Sequence, residues 1–247
     1  MSFLKRILVP FTHNETAASM HWQLQGKTFT VGSDLTFSVD FIGGAVEQHV
    51  SNVQASLLCL LDDVSGDTQA IHNEIIRTDI DRNFFIPAKK TLQKFYSLHL
   101  PPTSPLSNDI CRYKLNIELN TSSPPQYGLS AALTIGPSEQ ISIWFQVLKS
   151  LQFKRESHWN QPVKTSMQTE KYIQKFRYRK ENFINGKSLD IIFRFEQYTE
   201  YLDVFVKSNF AHQAHAKQST SETFRFTIDH ADVSFYASKL LRQLRDN

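Results

Sequence analysis

His212 and His215 stand three residues apart, a spacing that sets two imidazoles on one face of a helix, where they could share a metal ion. A zinc-hydrolase helix uses a spacing of four with a glutamate between, and no glutamate stands between these two. Their neighbours Gln213, Ala214, Lys217 and Gln218 read as an exposed linker. Zinc draws on about four close sulfur or nitrogen ligands, and the sequence holds no such cluster. Gln25-Gly26-Lys27-Thr28 matches the end of a phosphate-binding loop, but His21 occupies the place of the first glycine. Without that glycine the backbone N–H groups cannot wrap a phosphate. Neither GxGxxG nor GxSxG occurs, which removes the local signs of dinucleotide and acyl-transfer chemistry. Asp62-Asp63, Asp79 with Asp81, and Asp229-His230 with Asp232 fall in turn-like or helix-start settings, where Asp bonds its own backbone. The sequence therefore assigns no catalytic, cofactor-binding or metal-ligating residue.

The remaining chemistry-bearing residues are charged groups and thiols. Residues 1–136 hold ten Lys and Arg against twelve Asp and Glu; residues 137–247 hold seventeen against twelve. The densest basic run is Lys171, Lys175, Arg177, Arg179 and Lys180. Such a patch can attract phosphate or acidic lipid, although its alternation also fits one solvent-facing side of a strand. Phe3, Lys5 and Arg6 form a second candidate for partner or membrane contact, in a short apolar stretch broken at Pro10. That stretch lacks the uninterrupted apolar run of a secretory leader, and no segment reaches the roughly 20 apolar residues of a membrane helix. Cys59 and Cys111 sit in no CxxC pair and read as free thiols in a reducing cytoplasm, so the sequons at Asn14 and Asn120 carry no meaning.

Short strands would position these groups. Phe37, Val39 and Phe41 alternate with polar residues up to Gly43-Gly44, and Val53, Ala55, Leu57, Cys59 and Leu61 share one face. A third strand is expected over 68–80, a loop at Asp81-Arg82-Asn83, and strands around 95–100, 113–119 and 129–135. The period changes at Ser138, and Ile141, Phe145 and Leu148 predict a helix near 138–152 with Ser138 as N-cap. Asn160 to Gln168 reads as a loop. Tyr172 to Tyr178, Leu189 to Phe195, Tyr201 to Lys207 and Phe224 to Ile228 alternate again, with Asn185-Gly186 as a hairpin turn. Asp232 is placed to cap a terminal helix carrying Phe235, Tyr236, Leu240, Leu241 and Leu244.

A hydrophobic fraction of 40% with 21% charged residues supports a packed core, and nineteen Phe favour pleated surfaces. The 247 residues then divide into two antiparallel β-sandwich lobes in tandem, 1–136 and 137–247, with a helix between them and a short C-terminal helix.

Several segments resemble one family. Met1-Ser2-Phe3-Leu4-Lys5-Arg6-Ile7-Leu8 is similar to the opening of the bacterial sporulation-control proteins of the stage-zero M type, the SpoOM family. Gly43-Gly44-Ala45-Val46-Glu47-Gln48 is the most specific match. Phe85-Ile86-Pro87, Pro101 to Ser107, Leu148 to Phe153, Gly186 to Asp190 and Leu202 to Val206 extend the likeness over nearly the whole chain. Departures occur at Leu133-Thr134-Ile135, at Lys207-Ser208-Asn209, and at Gln152, which stands where the family has glycine. The resemblance implies an arrestin-like fold and a non-catalytic cytoplasmic regulator of sporulation or a related developmental programme. Such a protein would need no cofactor, would bind other proteins and not nucleic acid, and would touch an anionic membrane at most weakly. The alternative is a peripheral membrane or trafficking adaptor of arrestin type using its basic surfaces. Gly43, Gly44, Glu47 and Gln48 are expected to be structural, the glycines allowing a turn with positive φ.

Overall fold

The computed structural model describes residues 18–61, 71–121, 127–163, 171–184, 186–198, 200–211 and 221–246. Phe3, Lys5, Arg6, His212 and His215 lie outside these residues. Among the described residues the fold is mainly β, with two helices, and the chain divides into two compact units. The first comprises 1–101 with 107–136, the second 102–106 with 137–247.

The first unit contains β1 (Ser19–Leu24), β2 (Thr28–Thr30), β3 (Asp34–Ile42), β4 (Gln48–Leu61), β5 (Ile71–Ile86), β6 (Thr91–His99), β7 (Cys111–Thr121) and β8 (Tyr127–Gly136). They form a three-stranded sheet, β1-β3-β6, and a five-stranded sheet, β2-β8-β7-β4-β5. All pairings are antiparallel except β2 with β8. Alternation dictates the faces: Met20, Trp22, Leu35, Phe37, Val39 and Phe41 are buried from one sheet, and Val53, Ala55, Leu57, Cys59, Leu115 and Ile117 from the other. The edge contact of Phe41 with Phe84, ring centroids 5.2 Å apart, joins the two sheets.

The stretch Asp81-Arg82-Asn83, expected as a loop, runs inside β5. Asn83 takes φ +52 and the β4–β5 register shifts between Val53 and Gln54. The strand thus absorbs its turn-forming residues as an irregularity instead of reversing there.

The second unit contains α1 (Glu139–Ser150), β9 (Lys154–Val163), β10 (Lys171–Ile184), β11 (Lys187–Gln197), β12 (Leu202–Ala211), β13 (Ser221–Ile228) and α2 (Val233–Asp246). Its strands form one antiparallel sheet in the order β13-β12-β11-β10-β9. A second sheet was expected opposite its apolar face; among the described residues that layer is helical. Trp144 of α1 meets Phe193 and Phe226, Phe145 meets Phe176 and Phe195, and Tyr236 of α2 meets Phe226. The apolar stripe of α1 (Ile141, Trp144, Val147, Leu148) is what this face needs to become buried. Asn160 to Val163, read as loop, continue β9 in register with β10.

The helix ends follow their sequence signals. The Ser138 hydroxyl accepts from the Ile141 N–H at 3.2 Å, and the Asp232 carboxylate accepts from the Phe235 N–H at 2.8 Å. At the far end of α1, Gln152 adopts φ +62. Its N–H donates to the Lys149 carbonyl (3.0 Å), and the Phe153 N–H donates to the Leu148 carbonyl (2.9 Å). These are the two bonds of a Schellman cap, with glutamine in the position that usually takes glycine.

Candidate functional site

The candidate site is the outward face of the second unit's sheet. Strand alternation turns Phe176, Ile191, Phe193, Val204, Val206 and Phe226 toward the helices. The same alternation turns Lys175, Arg177, Arg179, Asp190, Arg194, Glu196, Asp203, Phe205, Lys207 and Arg225 the other way. Register then decides which charges meet. Arg179 lies directly opposite Asp190 and its Nε is 3.0 Å from the carboxylate, while Arg177 bonds the second carboxylate oxygen. Arg179 also lies 3.5 Å from Glu181 at the strand end. Two strands away, Asp203 forms an ion pair with Arg225 and accepts, at 2.8 Å, from the Thr227 hydroxyl. Arg194 pairs with Glu196 and lies over the ring of Phe205, 4.0 Å from its centroid.

The layering of charge is the distinctive property. The Asp190 and Asp203 side chains are 8% and 1% exposed, whereas those of Arg177 and Arg225 are 42% and 56% exposed. The carboxylates lie at the bottom of the layer and the guanidinium groups at its top. A buried carboxylate that satisfies part of an arginine also fixes its rotamer, leaving further N–H donors aimed outward. Hydrogen bonding to Asp203 raises the pKa of Arg225 further, so the cation persists at any biological pH. Among the described residues neither Lys175 nor Lys207 has an ion-pair partner. The face as a whole is positive, held in register by acids beneath.

The basic run foreseen from sequence is thus only partly free. Arg177 and Arg179 are half-buried and neutralised in part by Asp190; Lys175 is half-buried. Lys171 begins β10, and its side chain lies outside the described residues. Asp203, Arg194 and Arg225 were missed as members of the site. The alternation of β11 and β12 signals which face they take, but only the strand register brings Asp190 to Arg179.

The glycine-containing segment of the first unit does not make the expected turn with positive φ. Gly43 and Gly44 are not among the glycines with positive φ. A Cβ on Gly43 would instead overlap the Pro87 carbonyl and sit 3.2 Å from the Lys89 nitrogen. Two backbone bonds hold this approach: Gly43 N–H to the Lys90 carbonyl (2.8 Å) and Lys89 N–H to the Gly44 carbonyl (2.9 Å). The segment therefore clamps the β5–β6 turn. Gln48 accepts from the Ala18 N–H at 2.6 Å, and Glu47 is exposed. Just beyond the turn, Asp81 accepts from Lys94 (2.7 Å) and the Tyr96 hydroxyl (2.8 Å), linking the two sheets. Burial works to raise the Asp81 pKa, but the bonds from Lys94 and Tyr96 outweigh it and leave it lowered. Burial, then the neighbouring carboxylate, raises that of Tyr96.

Among the described residues no three His, Cys, Asp or Glu side chains are grouped to hold a metal ion. No helix among them is long and apolar enough to cross a membrane.

These features define a two-unit, mainly β protein with a clamped first unit and a charge-layered sheet face in the second. The SpoOM protein family profile matches residues 12–209, and the chain belongs to that family. The fold is similar to the crystal structure of Spo0M, a sporulation control protein from Bacillus subtilis, with a TM-score of 0.71 at 12% identity, covering 93% of this chain and 98% of that one. A family 123 glycoside hydrolase from Clostridium perfringens aligns with a TM-score of only 0.33 at 10% identity, over 50% of this chain and 28% of that one. A DUF4466 family protein from Parabacteroides merdae reaches 0.31 at 8% identity, over 87% and 100%. No curated protein matches the chain in sequence.

Proposed function

We propose that this protein is a non-catalytic cytoplasmic regulator that acts in sporulation control or a related developmental programme by binding other proteins. Family membership supports the programme. The observation that carries the mode of action is the outward face of β10–β13, where arginines lie above Asp190 and Asp203. A partner with acidic side chains would find donors already fixed in place, which lowers the ordering cost of binding. Charge-reversing Lys175 and Lys207 changes the face without breaking its ion pairs. Capture of partners from native cells by the wild-type protein and by K175E/K207E tests the reading. Partners recovered by the wild type and lost from the variant support it, whereas an identical set with both overturns the role of this face. A membrane adaptor role predicts instead that the wild type sediments with anionic vesicles at low salt and is released at high salt.

A further inference from the structure

The core of the first unit holds two thiols that the proposed function does not use. Cys59 stands two residues before the end of β4, and Cys111 is the first residue of β7. The ladder pairs Leu61 with Cys111 and Cys59 with Tyr113, so the cysteines are diagonal neighbours on one face. Their sulfurs are 3.3 Å apart, close enough for one thiol to donate to the other, and both residues are fully buried. The spacing of 52 residues in sequence conceals this meeting, because only the register of two strands creates it.

We propose that Cys59 and Cys111 are a site of reversible oxidation, joined by a small hydroperoxide into an intrachain disulfide that ties β4 to β7. The chemistry balances in two steps. One of the two thiols attacks one peroxide oxygen as its thiolate and becomes a sulfenic acid, and the other oxygen leaves as hydroxide, which takes up the thiol proton to give water. The second cysteine's sulfur then attacks the sulfenic sulfur, and the hydroxyl leaves with that cysteine's proton as a second water. Two electrons pass from the dithiol to the peroxide.

The two thiols share one contact, in which either can be the donor. The Cys111 thiol, and then the Tyr113 hydroxyl, hydrogen-bond to the Cys59 sulfur and hold its pKa below the ordinary thiol value against the effect of burial. That same contact with Cys59, together with burial, pushes Cys111 up.

The position at a strand end supplies access. Just before β7 the chain makes an isolated bridge between Asn108 and Cys111, with bonds of 3.0 and 3.4 Å, and Ser107 N–H donates to the Ile135 carbonyl of β8 (2.8 Å). Opening the last rungs of β4 and β7 exposes the pair without unfolding the sandwich. Diagonal neighbours have Cα atoms roughly 7–8 Å apart, whereas relaxed disulfides need about 4.4–6.8 Å. The bond must draw the two strand ends together, and a bond made under such strain is easily reduced again. It also closes the segment carrying β5 and β6 into a ring.

The test uses the full chain and inorganic hydrogen peroxide. Folded protein is treated with peroxide, denatured, and blocked with N-ethylmaleimide before its intact mass is read. The expected product is a monomer that has lost two hydrogens, takes up no maleimide, and yields one cross-linked peptide containing both cysteines. Dithiothreitol should restore two maleimide adducts. Neither C59S nor C111S should form the intrachain cross-link. Two adducts after peroxide, addition of oxygen without a cross-link, or cross-links only between chains would each overturn the proposal. The wild-type measurement stands even if a serine variant fails to fold.

Discussion

Replacing Gln152 with glycine should stabilise the second unit. Gln152 holds φ +62 at the end of α1, and left-handed geometry costs an L-residue roughly 1–2 kcal/mol. Glycine escapes that cost but gives up about 0.5–1 kcal/mol of extra unfolded-state entropy. The Gln152 side chain is exposed, and both cap bonds run from backbone N–H groups, so the substitution removes no contact the cap depends on. The difference is a gain of about 0.5–1 kcal/mol. Urea unfolding followed by tryptophan fluorescence reads it directly. Trp144, fully buried beside Phe193, and Trp159 both belong to this unit. The midpoint should rise with an unchanged slope for Q152G, and move by no more than a few tenths of a kcal/mol for Q152A, which keeps the Cβ. A Q152G protein no more stable than the wild type would refute the assignment of cost to the backbone.

Gly43→Ala should destabilise the first unit by about 2 kcal/mol or more in the same assay, since it must break the two bonds to the β5–β6 turn. Gly26→Ala, whose Cβ would meet only the Thr28 carbonyl at 3.8 Å, should be near neutral. Asp81 has a depressed folded pKa, so its contribution is complete above the unfolded value of about 3.9 and is lost as pH falls through the folded one. Asp81→Asn should accordingly lower stability at neutral pH and flatten the acid limb of a stability–pH curve; an unchanged limb refutes this. Asp190→Asn should cost about 2 kcal/mol by weakening two charge-assisted contacts, measured as a lower urea midpoint with the far-UV spectrum unchanged.

Much of the fold was legible because burial writes itself as alternation. The run from Val53 to Leu61, the paired faces of Leu189–Phe195, and the change of period after Ser138 each mark an element that the structure contains. The failures share a cause. Asp81-Arg82-Asn83 has turn composition, yet Asp81 is drawn inward by Lys94 and Tyr96 of a different strand. Gly43 looked like a conformational glycine, yet its need arises from Pro87, which is remote in sequence. The basic strand announced itself, but Asp190, the acid that occupies two of its arginines, is fixed by register. What one strand does is local information; what it faces is not.

The parallel pairing of Thr28–Thr30 with Thr134–Gly136 joins the opening of the first unit to its final strand. The Val31 N–H bonds the Gly136 carbonyl at 3.1 Å, and Thr134 donates to the Lys27 carbonyl at 2.9 Å. A chain leaving the ribosome cannot make these bonds until residue 136 has emerged, so β2 waits while more than a hundred residues are synthesised. Closing so long a loop also slows refolding in solution, as high contact order does generally. The first unit is therefore completed only once its last strand has emerged, and until then its half-made sheet is what cellular chaperones would meet.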